Sequence, residues 1–194
     1  MNSVIAVGLL SLSMIAFTNF AQAAEKCTIT GSHKEQSIEQ VNEYYKCARP
    51  ALLEKYQSGD NEFAKKYTSW KAVQTGPSAP GFHSGRYLMT YVNDIGYDQY
   101  VAYASSNVDL PIGTYIAKES FKIKKGGKLK AGPLFSMEKV GLEKAPKTDG
   151  WFYAGVKTRG TTWATSQSFC HSCHKNYSAQ DSLGYPGLDV RFKN

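Results

Sequence analysis

Near the C-terminus the chain reads FCHSCHKNY (169–177), which places Cys170, His171, Cys173 and His174 within a five-residue span. Cys170, Cys173 and His174 form C-x-x-C-H, the attachment signal for c-type haem. Two thiols three residues apart on a helical turn project to the same side, where each can form a thioether with a haem vinyl group. The next imidazole, His174, is then brought under the iron as its axial metal ligand. The reading is therefore one covalent haem c, held by Cys170 and Cys173. The competing chemistry is a structural zinc ion, which takes four tetrahedral ligands, as a rule from two separated pairs. Only His33, His83 and His171 remain as further histidines, and His171 is wedged between the two cysteines.

The start of the chain sets the compartment in which those thiols are read. Residues 1–23 contain no charged side chain, run apolar from Val4 to about Phe20, and end in Ala21-Gln22-Ala23. This is the pattern of a secretory signal cleaved after Ala23, which predicts a periplasmic protein with no membrane segment after cleavage. An oxidising compartment favours disulfides and covalent haem attachment. Cys27 and Cys47 are the distant pair, and a bridge between them would tie the mature N-terminus to a helix. That helix is predicted from the capping-box form Ser37-Ile38-Glu39-Gln40 and from Ile38, Val41, Tyr45 and Ala48 at helical spacing, with Pro50 as its stop and Cys47 on its last turn.

The elements that must position the motif are mostly strands. Residues 86–93 (RYLMTYVN), 113–123 (GTYIAKESFKI), 134–140 (LFSMEKV) and 151–157 (WFYAGVK) are short, aromatic or β-branched, and bounded by Gly, Pro or Asp. Gly126-Gly127 predicts a two-residue hairpin turn after the second of them. Asp94 is the expected cap of a short helix in which Tyr97, Tyr100, Val101 and Ala104 share a face. Residues 37–67 read as helical with a break at Ser58-Gly59-Asp60, and GPSAPG (76–81) reads as a loop joining two strands. The fold class is α+β, predominantly antiparallel β-sheet with flanking helices and a helical N-terminal extension. The 194 residues, 42% hydrophobic, divide into a signal segment (1–23), the extension (24–65) and one compact haem domain (66–194).

Only 20 residues follow His174 and none is Met, so the arrangement of the common small electron carriers, with C-x-x-C-H early and a Met ligand downstream, is absent. The combination RYLMTYVNDIGYDQY, GTYIAKES, LFSMEKV, WFYAG and the late CHSCH resembles the cytochrome P-460 family over roughly residues 66–180. The resemblance implies a mostly β fold, a homodimer, and a five-coordinate haem with an open distal face. It also implies chemistry or binding of small nitrogen compounds, hydroxylamine and nitric oxide. The family's cross-linking lysine, bonded through its side-chain nitrogen to a meso carbon of the porphyrin, matches Lys118 of IAKES. Strand alternation puts Ile116, Lys118 and Ser120 on one face, and partial burial there favours the neutral, nucleophilic amine.

Two further roles follow from the resemblance. A proton-accepting carboxylate near the distal face is assigned to Glu138, with Glu143 the weaker choice. A distal arginine would fall on Leu88, a departure from the family pattern, and Arg86 lies two residues earlier on the same strand face. Net charge is +7, with Lys122, Lys124, Lys125, Lys128 and Lys130 gathered around one hairpin tip. This is a solvated turn or a docking surface for an acidic redox partner. Nucleic acid is excluded as a partner by export and by the lack of a binding module. Three classes of function stand side by side: an oxidoreductase acting on hydroxylamine or nitric oxide, a gas-binding (cytochrome c-prime-beta-like) or electron-transfer cytochrome, and a zinc-stabilised β-domain. Met89 or Met137 as a sixth ligand would mark an electron carrier.

Overall fold

The computed structural model describes residues 27–29 and 36–193. The predicted signal segment and His33 lie outside them. Helix α1 (Ile38–Gln57) opens on the expected capping box: Ser37 Oγ accepts from the Gln40 amide and Gln40 Oε1 accepts from the Ser37 amide. It does not stop at Pro50, which sits inside it, so Cys47 is mid-helix rather than on the last turn. Proline removes one helical hydrogen bond. Beyond it, however, Ala51, Leu52 and Tyr56 are buried, and their packing carries the helix onward. The Cys27–Cys47 disulfide is formed. After the predicted break a short helix α2 (Glu62–Lys66) starts on Asn61, whose side chain caps the Ala64 amide.

The sheet is antiparallel throughout, with β1 (Lys71–Ala72), β2 (Tyr87–Val92), β3 (Tyr115–Ile123), β5 (Leu134–Lys139), β6 (Trp151–Val156) and β7 (Thr162–Trp163) in that spatial order, while β4 (Leu129–Ala131) pairs with β3. All four predicted strands are present. The hairpin after β3 is longer than expected: Ile123 pairs with Leu129, and residues 124–128 form the loop, with Gly126 and Gly127 at positive φ. The short helix α3 (Tyr97–Val101) begins at Gly96 without a side-chain cap. Asp94, the expected cap, instead pairs with Lys71 at 2.9 Å.

Alternation along the strands divides the interior into two cores. On one face Tyr87, Met89, Tyr91, Ala117, Phe121 and Leu134 pack against α1. On the other, Val92, Ile116, Met137 and Tyr153 pack with Tyr100, Leu110 and Leu183. The register Lys118↔Phe135 and Thr90↔Lys118 puts Lys118 on the second face.

Glu119 therefore points into the first core, where it is fully buried. Arg49 of α1 donates to its Oε1 from Nε and NH2 at 3.2 and 3.0 Å, and Tyr67 donates to the same oxygen at 3.0 Å. Tyr45 donates to Oε2 at 2.6 Å and accepts from Tyr91. Desolvation raises the Glu119 pKa, and the arginine and tyrosine donors oppose that rise. Removing one partner of a buried ion pair strands the other. Arg49→Ala is therefore expected to lower unfolding free energy by roughly 3 kcal/mol in urea titration. Tyr67→Phe, which removes one of several donors, should cost only about 1 kcal/mol.

Candidate functional site

The C-x-x-C-H motif lies on helix α4 (Gln167–His174), capped by Ser166, whose hydroxyl accepts from the Phe169 amide at 3.3 Å. The helix is fixed to β6 by a two-way amide clamp: Tyr153 N donates to Gln167 Oε1 at 2.8 Å, and Gln167 Nε2 donates to Tyr153 O at 2.7 Å. Cys170 and Cys173 are free thiols, the first partly buried and the second exposed. Their spacing on one helical turn is the one that the sequence predicted.

His174 is oriented by backbone. Its Nδ1–H donates to Ser182 O at 2.8 Å, which assigns the tautomer and leaves Nε2 with a free lone pair. Burial, with lesser help from the Lys118 charge, lowers its pKa to about 4, so the ring is neutral and able to ligate a metal. The loop that presents this carbonyl is itself held in an unusual shape, with Asp181 and Ser182 at φ 55° and 60°. Such conformations persist only when surroundings over-determine them. Here Asp181 Oδ1 accepts from Lys139 Nζ at 2.5 Å and Trp151 Nε1 at 3.2 Å, and Oδ2 accepts from the Leu110 amide at 2.8 Å. Ser182 Oγ donates to Asp149, which also lies 3.6 Å from His171.

Lys118 shares this face. Its Nζ is buried and donates to Gly184 O at 2.8 Å, two residues from the Ser182 carbonyl that orients His174. Burial pushes its pKa down to about 8, which favours the neutral amine. His83 completes the group: its ring sits 4.6 Å from Phe135, the cross-strand neighbour of Lys118, and 6.3 Å from the His174 ring. Arg86 projects on the same face, beside Ser120 and Gly132. It lines a pocket of about 380 Å³ with Lys157, Arg159, Pro133 and Trp163.

Glu138 is not brought to this face. It pairs in register with Tyr115 and Phe152, on the side that packs toward α1, and its carboxylate accepts from the Tyr115 hydroxyl. Glu143 is exposed, Met89 is buried in the first core, and Met137 lies in the second core. His83, Ser182 and Asp181 went unassigned in the sequence. His83 lies in a glycine-bounded loop, and the other two act through backbone shape that no motif announces.

These residues fit a haem. Two free thiols and a neutral imidazole stand on one turn, and an amine is buried beside them. His83 Nδ1 and Arg86 NH1 are buried without a partner. Cations stand nearby: Arg86, Lys157 and Arg159 line a pocket with Trp163, whose ring lies 5.7 Å from Phe135, and the two carboxylates of the macrocycle would call for such partners. For the zinc alternative, among the described residues no group of three or more His, Cys, Asp or Glu is placed to hold a metal ion. Nor is any described helix long and apolar enough to cross a membrane.

The family model Cytochrome P460 matches residues 64–183. No curated protein matches the chain. The loop that orients His174 depends on the Lys139–Asp181 pair, whose side chains are 9% and 6% exposed. Asp181→Ala is expected to lower stability by about 2 kcal/mol in denaturant unfolding, because the buried Lys139 keeps only the exposed and more distant Asp109, at 3.6 Å, as an ion-pair partner. An unchanged midpoint would mean that the loop holds its shape without the pair.

Proposed function

The chain belongs to the cytochrome P460 family and is a c-type haem protein of that family; on this premise we propose that it binds small nitrogen compounds, hydroxylamine and nitric oxide, at the iron and converts them by electron transfer. The observation that carries the reading is the convergence of His174, Lys118 and the two thiols on one face of the sheet, with His174 Nε2 left free by the Ser182 carbonyl. When bound, the haem would supply an exchangeable coordination site on iron and one-electron changes of oxidation state. The chain does the rest. Cys170 and Cys173 would hold the group covalently, and His174, its ring orientation set by Ser182 O, would ligate the iron. Phe135 beside His83 and Tyr153 beside His174 would supply aromatic surface to it, and Arg86, Lys157 and Arg159 are the cations available to its carboxylates.

Lys118 is the third attachment point in this reading. Its amine is buried, depressed in pKa, and held in place by the Gly184 carbonyl. A second reading, gas binding without turnover, is favoured by one observation: the carboxylate assigned to proton removal, Glu138, lies across the sheet from Lys118. Export to the periplasm rests on the N-terminal segment and is supported by the Cys27–Cys47 bridge. The lysines of the β3–β4 hairpin, of which Lys124, Lys125, Lys128 and Lys130 are exposed, suit an acidic redox partner. A homodimer is consistent with exposed Ile95, Ile112 and Leu142, which gather around Gly113 and Gly141.

Peptide mass mapping of the haem-loaded protein tests the attachment: one haem is expected to join the peptide of Cys170 and Cys173 to that of Lys118. Lys118→Ala should retain haem on the cysteines but change the absorption spectrum, and an identical spectrum would remove the third link. Glu138→Gln is expected to leave hydroxylamine turnover within about twofold, since its side chain faces the other core. A loss of tenfold or more would return the proton-accepting role to that carboxylate.

A further inference from the structure

Residues 81–85, GFHSG, stand apart from the packing around them. A side chain at Gly81 or Gly85 would meet nothing within 4 Å, and His83, Ser84 and Gly85 all take left-handed φ, at 53°, 63° and 62°. For the two non-glycine residues this conformation costs on the order of 1 kcal/mol each. It is the inward-turned imidazole of His83 that gives the loop its purchase on the body. The ring lies against Phe135, and its Nδ1 is buried with no hydrogen-bond partner. A buried ring nitrogen without a partner loses about 1–3 kcal/mol of hydration. Among the described residues no hydrogen-bonding group meets it. The cost is explained if the nitrogen has a partner that arrives with the haem.

Distance points to the partner. His83 and His174 are 6.3 Å apart between ring centroids. Two imidazoles that ligate one metal from opposite sides, each through a nitrogen at about 2 Å, place their centroids roughly 6 Å apart. Other candidates for the position opposite His174 are engaged elsewhere: Lys118 Nζ donates to Gly184 O, and Met137 is packed in the second core. We infer that His83 is a displaceable second axial ligand, which closes the iron position opposite His174 in the resting protein and withdraws with its glycine-bounded loop when a small ligand enters. This rests on the haem reading above. It revises the five-coordinate expectation: the position is guarded, and access to it is set by how readily residues 81–85 swing out.

The test uses the full chain matured with covalent haem. Wild-type ferric protein is expected to show a low-spin spectrum with two nitrogenous axial ligands by absorption and electron paramagnetic resonance. His83→Ala should be high-spin, should return to low-spin on adding free imidazole, and should bind carbon monoxide at least tenfold faster when reduced. A high-spin wild type, with His83→Ala unchanged in spectrum and in carbon monoxide rate, overturns the inference while leaving the haem reading intact. Covalent haem content, measured on the same samples by the pyridine haemochrome, separates the two: a wild type without haem sinks both.

Discussion

Strand β3 carries two charged side chains in succession into the interior, Lys118 toward one face and Glu119 toward the other, and the remainder of the molecule is arranged to make both tolerable. Burying an unpaired charge costs several kcal/mol, so each needs its own compensation. For Glu119 it is a full set of donors, from Arg49, Tyr45 and Tyr67. For Lys118 it is a lowered pKa and one backbone carbonyl. The contrast has a chemical sense. The carboxylate is satisfied and structural, whereas the amine is held with a single acceptor in a low-dielectric site, which leaves it reactive.

The helix that answers Glu119 lies before the region matched by the family model, which begins at residue 64. Arg49 and Tyr45 reach the strand from α1, and the disulfide at Cys47 anchors the same helix to Cys27. The N-terminal helix is thus a second half of the core behind strand β3. On the opposite face a different economy holds. Asp181 and Ser182 are kept in a strained turn by Lys139, Trp151 and Leu110, so that a backbone oxygen faces His174. A ligand oriented by a carbonyl cannot lose its orienter to a side-chain rotation.

Much of this was legible in the sequence, for identifiable reasons. C-x-x-C-H declares its own spacing, the strands declare themselves by β-branched and aromatic runs, and Lys118 was placed on its face by alternation alone. Pro50 misled because local propensity was outweighed by burial of Ala51, Leu52 and Tyr56, a tertiary effect. Asp94 misled because a surface lysine competed for the same carboxylate. Glu138 comes from the resemblance and from its place in the strand after that of Lys118, which do not fix a face; counting from Lys118 through its partner Phe135 puts the Glu138 side chain on the other side of the sheet. The network around Glu119 was hidden for another reason. Its members are separated by up to 74 residues, and no local pattern encodes a long-range carboxylate cage.

The adjacency of Lys118 and Glu119 also makes β3 a strand that cannot be miscounted. Because side chains alternate, sliding β3 by one position, or adding or deleting one residue within it, would exchange the two interiors. The ammonium would enter the pocket of Arg49 and the tyrosines, and the carboxylate would be driven among Phe135, His83 and His174. Each misplaced charge would be uncompensated, a combined penalty comparable with the roughly 5–15 kcal/mol by which whole domains are stable. Two neighbouring letters therefore act as a checksum on the sheet: out-of-register assemblies reject themselves, and the length of this strand is fixed by electrostatics as firmly as its sequence is by chemistry.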